Sequence, residues 1–338
     1  MQCCANCFGD GHLRLEVIPS LSEATGDCSY CGSKNLALVC PIKLREQFEL
    51  LTSIYVRSDD GITLVEWLQK DWALFRHPQM NVAHAKELLA EILDDGDIVR
   101  KKFIPSAPST SDALQRWDAL RLELMHSNRF FPRTEINLER LKRLFGFLLL
   151  KDAEIPKSWY RARIQQGAKV YEMNEMGAPP KNLATHGRAN PAGIPYLYLA
   201  STELTAVSEI RPHTGEEASV AEFIIPDGLS IADLRDPRLT VSPFILSDES
   251  EISLLRQDIE FLEKLGEELT RPVIPRSAAF DYIPSQYLCE YVKVCGYDGV
   301  MYRSSVGDGI NVALFDPGRA NGVSVRSLKV SRVLVNLG

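Results

Sequence analysis

The sequence predicts an α+β fold: a cysteine-rich knuckle and an α-helical bundle, followed by a half in which short strands alternate with helices. Paired CxxC motifs open the chain at Cys4, Cys7, Cys28 and Cys31. Between Leu44 and Leu148 apolar residues recur at three- and four-residue steps, the period of helices with one buried face. From "EIPKSWYRARI" (154–164) onward, short apolar runs are bounded by glycine and proline, as in strands joined by turns.

Five of the eight cysteines lie in the first 31 residues. A disulfide framework is not expected in a reducing cytosol. Cys4-x2-Cys7 and Cys28-x2-Cys31 are separated by twenty residues, a spacing at which two knuckles present four thiolates to one zinc ion. Phe8-Gly9 and Gly32-Ser33 supply the small turn residues that follow each knuckle. Cys3 can replace Cys4 only with a longer first knuckle. Four protein ligands leave no open position for water, so the zinc is expected to be structural. Cys40, Cys289 and Cys295 read as buried small residues.

Pro41 opens a helix whose Leu44, Phe48, Leu51 and Tyr55 share one face. Residues 61–72 and 81–96 read as two more helices, the second ended by Asp94-Asp95-Gly96. Residues 103–112 are a loop by composition, with Ser111 or Asp112 to cap the next helix. Helices at about 112–127 and 135–151 complete the bundle, the second carrying Leu138, Leu141, Leu144 and Leu148. Strands are expected at 159–164, 194–200, 219–225, 300–303, 311–315 and 325–335, with helices at about 202–211, 251–269 and 284–295. The late strands are too close together for crossover helices, which predicts a mostly antiparallel sheet. The divisions are then a zinc knuckle at 1–40, a helical region at 41–152 and a mixed domain at 153–338.

A net charge of −7 gives nucleic acid and acidic membranes no global attraction. The longest apolar run, Leu144 to Leu150, ends at Lys151 and falls well short of the roughly 18 residues of a membrane span. The N-terminus lacks the basic-then-apolar order of a secretion signal. A cytoplasmic protein that does not engage membranes or nucleic acid is therefore expected.

The segment "GRANPAGIPYLYLASTELTAVSEIRP" (187–212) places Arg188 on a glycine- and proline-bounded loop, Tyr198 on a short strand and Glu209 on the following helix. Gly187 and Gly193 remove bulk beside an arginine suited to bidentate phosphate binding. Ser201 or Thr202 can cap the helix, which carries Glu209 about two turns in. Further on, "GYDGVMYRSSVGDGINVALFDP" (296–317) reads as strand, Ser304-Ser305, glycine turn and strand. Taken singly, Arg188 fits a surface ion pair, Glu209 a solvated helix face and Tyr198 an ordinary core. Taken jointly, they fit one cleft.

Arginine, glutamate and serine in this order resemble the RES domain, a family named for those residue types that includes bacterial toxins degrading NAD⁺. The resemblance covers roughly residues 155–320 and rests on "GRANPAGIPYLY", "TELTAVSEI", "GVMYRSS" with "NVALF", and Tyr160-Arg161 on the first strand. It implies Glu209, Arg188, Tyr198 and Ser304 as catalytic residues, and Arg161, Tyr160, Asn190 and Ser305 as substrate-binding residues. Ser304 is the better match and Ser305 its neighbour. Two positions depart from the pattern: Ala189 replaces an aromatic residue and Arg303 a proline.

The resemblance further implies an ADP-ribosyltransferase-like split β-structure with flanking helices, with NAD⁺ as substrate. Water or inorganic phosphate would accept the ribosyl group, giving a glycohydrolase or a phosphorylase. Two alternatives stand beside it: an ADP-ribosyltransferase acting on a macromolecule, and a non-catalytic interaction protein. A helix-turn-helix antitoxin is the partner implied. The N-terminal half, with "CCANCFGDG", "CSYCGS" and "NRFFP", resembles the HEPN-type region fused to some RES proteins. Arg121 to His126 fits that superfamily's Arg-x4–6-His nuclease formula, but so does any helix with those residues five apart. A docking or regulatory bundle is expected instead.

Overall fold

The computed structural model describes residues 1–106, 112–150 and 154–334. The expected cap Ser111, Lys151 at the end of a helix and Val335 at the end of the last strand lie outside the described residues. The chain forms two compact units, Met1–Leu114 with Asp236–Leu262, and Gln115–Arg235 with Glu263–Gly338.

These units cut across the linear division expected from the sequence. Residues 115–150 group with the C-terminal half because their apolar side chains find their core there: Phe145 packs at 6.2 Å from both Tyr291 and Tyr297. Residues 236–262 group with the N-terminal half, where the Phe244 ring packs tilted against Phe48 with centroids 5.3 Å apart.

In the first unit, strands β1 (Cys3–Cys4), β2 (Ala24–Gly26) and β3 (Leu36–Val39) form an antiparallel sheet in the order β1-β3-β2. Helices follow at Arg45–Ser53, Leu64–Trp72 and Val82–Leu93. Thr63 and Glu66 cap the second reciprocally, and Asn81 caps the third by accepting from the Ala83 and His84 amides.

The purely helical bundle expected for this region is corrected by a strand pair, β4 (Tyr55–Thr63) with β5 (Lys102–Pro105). Tyr55 continues the apolar period of the first helix, yet it begins β4. Its hydroxyl donates to Asp71 Oδ2 at 2.9 Å and accepts from Trp72 Nε1 at 3.0 Å, a buried network that a further helical turn would not reach.

The second unit is built on β6 (Ser158–Ile164), β7 (Leu197–Ala200), β8 (Glu217–Ile224), β9 (Ile231–Asp233), β10 (Gly299–Arg303), β11 (Ile310–Leu314) and β12 (Asn321–Lys329). Their order is β12-β8-β6-β7-β11-β10-β9, antiparallel throughout except for the β10–β9 pair. Trp159, Leu197, Leu199, Phe223, Met301 and Val312 belong to its main apolar core. A smaller cluster of Ala162, Ala200, Val220 and Ala206 seats the helix Glu203–Glu209. Beyond β9, Leu150 and Leu148 exchange backbone hydrogen bonds with Ile231 and Asp233, at 3.0 and 2.7 Å, which covers the sheet edge.

One pairing is minimal. β6 pairs with β7 at Tyr160↔Ala200 alone, although it follows β8 along its whole length. The two strands therefore splay on either side of that pair, and the sheet divides. Among the described residues no helix is long and apolar enough to cross a membrane.

Candidate active site and metal site

The four knuckle cysteines converge. The sulfurs of Cys4, Cys7, Cys28 and Cys31 all lie within 4.8 Å of one another and are buried. Cys4 Sγ is 3.5 Å from Cys31 Sγ, and Cys7 Sγ is 3.4 Å from Cys28 Sγ. Zinc–sulfur bonds of about 2.3 Å would set tetrahedral sulfur–sulfur edges of about 3.8 Å, so the donor set fits a metal such as zinc. Cys3 is excluded by strand alternation, since neighbours on β1 face opposite ways and its thiol points to the Val39 carbonyl at 3.6 Å. Of the cysteines expected to be buried, Cys289 is, Cys295 is half-buried and Cys40 is exposed.

In the second unit a cavity of about 490 Å³ opens where β6 and β7 part. Tyr160, Arg161 and Ala162 line it from one strand, and Tyr198, Leu199 and Ala200 from the other. Register pairs carry one row across four strands, Tyr160 to Ala200 to Asn311 to Tyr302, and all four line the cavity. That volume lies within the range of small-molecule sites, roughly 300–1,000 Å³.

The Arg188 loop is fastened at its centre by Tyr198. The phenol accepts from the Ala189 and Asn190 amides at 2.9 and 3.2 Å and donates to Asn190 Oδ1 at 2.7 Å. Asn190 Nδ2 lies 2.9–3.0 Å from the carbonyls of Thr185, Pro191 and Ile194. Gly187 permits this closeness: a Cβ there would sit 2.3 Å from Asn190 Oδ1 and 2.7 Å from the Tyr198 hydroxyl. Gly193 turns the loop with φ +84°, which L side chains avoid. Ser285 Oγ and Gln286 Nε2 donate to the carbonyls of Arg188 and Gly187, at 2.6 and 2.8 Å.

Arg188 is thereby aimed. Its Nη1 donates to the Arg271 carbonyl at 2.8 Å, its Nη2 to Ser305 Oγ at 3.3 Å, and its guanidinium lies 5.3 Å from the Tyr282 ring centre. Arg161 donates to the Gly177 carbonyl at 2.5 Å. Burial, with Arg163 nearby, lowers its pKa to about 10. An anion in the cavity would offset that penalty. Arg211 also lines the cavity, from a left-handed backbone with φ +49°. Among the described residues, none of these three arginines has a carboxylate partner.

Glu209 ends the helix Glu203–Glu209, whose cap Thr202 accepts from the Thr205 amide at 3.1 Å. Its Oε1 accepts from Ser304 Oγ and from Asn311 Nδ2, both at 2.6 Å. Oε2 has no partner among the described residues, and the side chain is exposed. The arrangement places a fixed anion in the same cavity as three cations.

The structure thus brings Arg188, Tyr198, Glu209, Arg161, Tyr160 and Ser305 into one cavity. Ser304 adjoins it through Glu209, and Asn190 organises the loop without lining the cavity. The two serines divide the work: Ser304 meets the carboxylate and Ser305 the arginine. Ala189 is fully buried, and exposed Arg303 donates to the Arg235 carbonyl at 2.8 Å. Sequence reasoning missed Asn311, Tyr302, Tyr282 and Arg211. Only Asn311 carried a signal, as the first residue of "NVALF". Arg121, half of the nuclease-type pair, lies 2.7 Å from Glu268, while the His126 ring sits 6.2 Å from Phe280.

Comparison with curated proteins found no match. Among solved structures, the crystal structure of the M. tuberculosis MbcT–MbcA toxin–antitoxin complex contains a similar chain, at 14% identity and a TM-score of 0.35. The likeness covers 58% of this chain and 96% of that one. A family model described as the RES domain matches residues 158–332, from β6 past the end of β12. That match spans more than half of the sequence and contains every residue that lines the divided sheet's cavity, and the chain belongs to the RES domain family.

Proposed function

We propose that this protein degrades NAD⁺ by cleaving the bond between nicotinamide and ribose, and that it acts as a bacterial toxin or defence effector. The observation that carries this reading is one cavity that holds a carboxylate with an oxygen unpartnered among the described residues and three guanidinium groups with no carboxylate partner among them. Family membership supports it.

The glycosidic bond breaks with its electron pair leaving on the nicotinamide nitrogen, so the leaving group departs neutral and needs no general acid. The ribose acquires oxocarbenium character, and the Glu209 carboxylate opposes that positive charge. Ser304 and Asn311 hold the carboxylate in place in advance. Arg161 and Arg188 bind the pyrophosphate, Tyr160 and Tyr198 present rings to the nicotinamide or ribose, and Ser305 and Asn190 keep the arginine loop in position. An oxygen of water or phosphate then bonds to the ribose carbon, and the acceptor's proton passes to solvent. A pyrophosphate engages two guanidiniums; the third, Arg211, supports phosphate as acceptor.

Product analysis of purified protein with NAD⁺, with and without phosphate, tests this. Nicotinamide with ADP-ribose marks a glycohydrolase, and nicotinamide with phosphorylated ADP-ribose marks a phosphorylase, whose product share should fall in Arg211→Ala. Label transferred to a macromolecule would replace this reading with an ADP-ribosyltransferase. No calorimetric NAD⁺ binding would leave a non-catalytic interaction protein.

The same reading takes residues 1–40 as a structural zinc knuckle, 41–152 as a docking or regulatory HEPN-like region without nuclease activity, and 153–338 as the catalytic domain. Its catalytic fold is ADP-ribosyltransferase-like, its setting the cytoplasm and its partner a helix-turn-helix antitoxin. Co-expression with such a partner should relieve growth arrest and restore cellular NAD⁺.

A further inference from the structure

Arg121 stands on the helix Ala113–His126, outside the residues matched to the family. Its Nε lies 2.7 Å from Oε1 of Glu268, a carboxylate only 2% exposed. The second oxygen of Glu268 lies 3.2 Å from Arg271 Nε. Two guanidiniums thus flank one buried carboxylate as ion pairs, although Arg121 Nε, Arg271 Nε and Glu268 Oε2 do not meet in hydrogen-bond geometry, and losing either partner leaves buried charge less compensated. Arg271 also reaches forward: its Nη2 donates to the Asp281 carbonyl at 2.5 Å and lies 3.7 Å from that residue's carboxylate. Its side chain therefore ties together the two ends of the segment 271–282, from which Val273, Ala278 and Tyr282 line the cavity.

The last link is the backbone. The Arg271 carbonyl accepts from Arg188 Nη1 at 2.8 Å, and Tyr282, next to Asp281, lies under the same guanidinium. Glu268 attracts the Arg271 guanidinium from one side and the Asp281 carbonyl accepts from it on the other, which restrains the residue whose carbonyl aims Arg188. We propose that the Arg121–Glu268–Arg271 triad is a positioning device for Arg188, and that a helix outside the family match braces the anion-binding wall of the cavity without lining it. The identity of the anion, the NAD⁺ pyrophosphate, rests on the function proposed above; the positioning does not.

Arg121→Met keeps the length of the side chain and removes its charge, whereas Arg121→Lys keeps the charge. Arg121→Met is expected to raise KM for NAD⁺ by about two- to thirtyfold, the scale of coupling through packed groups. The kcat should stay within about twofold of wild type, as for an interaction equal in ground and transition states. In an Arg188→Ala background the same change should add nothing, because both act through one guanidinium. Arg121→Lys should fall between, and it carries the same comparison if Arg121→Met does not fold. Independently of turnover, amide exchange at 187–190 should quicken in Arg121→Met while β10 and β11 keep their protection. Additive KM effects, an unchanged loop, or faster exchange throughout the unit would overturn the proposal. If wild type neither binds nor consumes NAD⁺, the proposed function fails and the exchange measurement still decides the positioning role.

Discussion

Glu209 sits at a helix end with one carboxylate oxygen engaged and the other without a partner among the described residues. Glu209→Gln keeps the shape and removes the charge. NAD⁺ should still bind, while turnover should fall on the order of 10²–10³, the scale for losing one preorganised electrostatic group. Equal rates of NAD⁺ loss for wild type and Glu209→Gln would remove this residue from the mechanism. Arg188→Ala should instead act mainly on KM, because it removes a contact made before the bond breaks; a pure kcat effect would reassign it. Both residues were legible in the sequence because each lies in a short local pattern, a turn-bounded arginine or a capped helix. Tyr198 was only half legible. Its ring was expected at the cavity, but nothing local shows that its hydroxyl would return to two amides of the Arg188 loop. Tyr282 and Arg271 were not legible, since they reach the site through a tertiary fold from a segment without a motif.

The loop between Ala184 and Tyr198 depends on that phenol as a whole. Tyr198→Phe would strip two loop amides and Asn190 Oδ1 of their partner, costing about 1–3 kcal/mol for each group left buried and unpaired. A lower melting temperature together with a raised KM is expected; a variant indistinguishable from wild type in both would show the loop to be held elsewhere. Most strand and helix positions in the second unit followed from periodicity, with ends shifted by a few residues. β9 did not, because three residues are too few to show a period, and it exists through its parallel pairing with β10. β4 was hidden for another reason: Tyr55 fits the helical spacing of Leu44, Phe48 and Leu51, and only its long-range bonds to Asp71 and Trp72 favour a strand.

The whole molecule joins a compact four-sulfur site in one unit to a divided sheet in the other, and each can be tested alone. Protein purified without added metal should contain about one zinc per chain, and chelation should make the first 40 residues susceptible to protease, because such a site contributes directly to folding. A metal-free protein with unchanged protection of β1–β3 would sink the assignment. The domain order was read from the sequence as linear, yet residues 115–150 and 236–262 belong to different compact units from the residues that precede them. Linear order also has a temporal side. The partners of Glu209 come from the hairpin of β10 and β11, at Ser304 and Asn311, about a hundred residues after the carboxylate they hold. At the usual pace of synthesis, some 5–20 residues per second, a ribosome needs roughly 5–20 s to pass from Glu209 to that hairpin. Until then the nascent chain carries arginines, tyrosine and glutamate but no assembled site. Under the function proposed above, a cell is spared the activity over that interval, in which a partner made in advance can already be waiting.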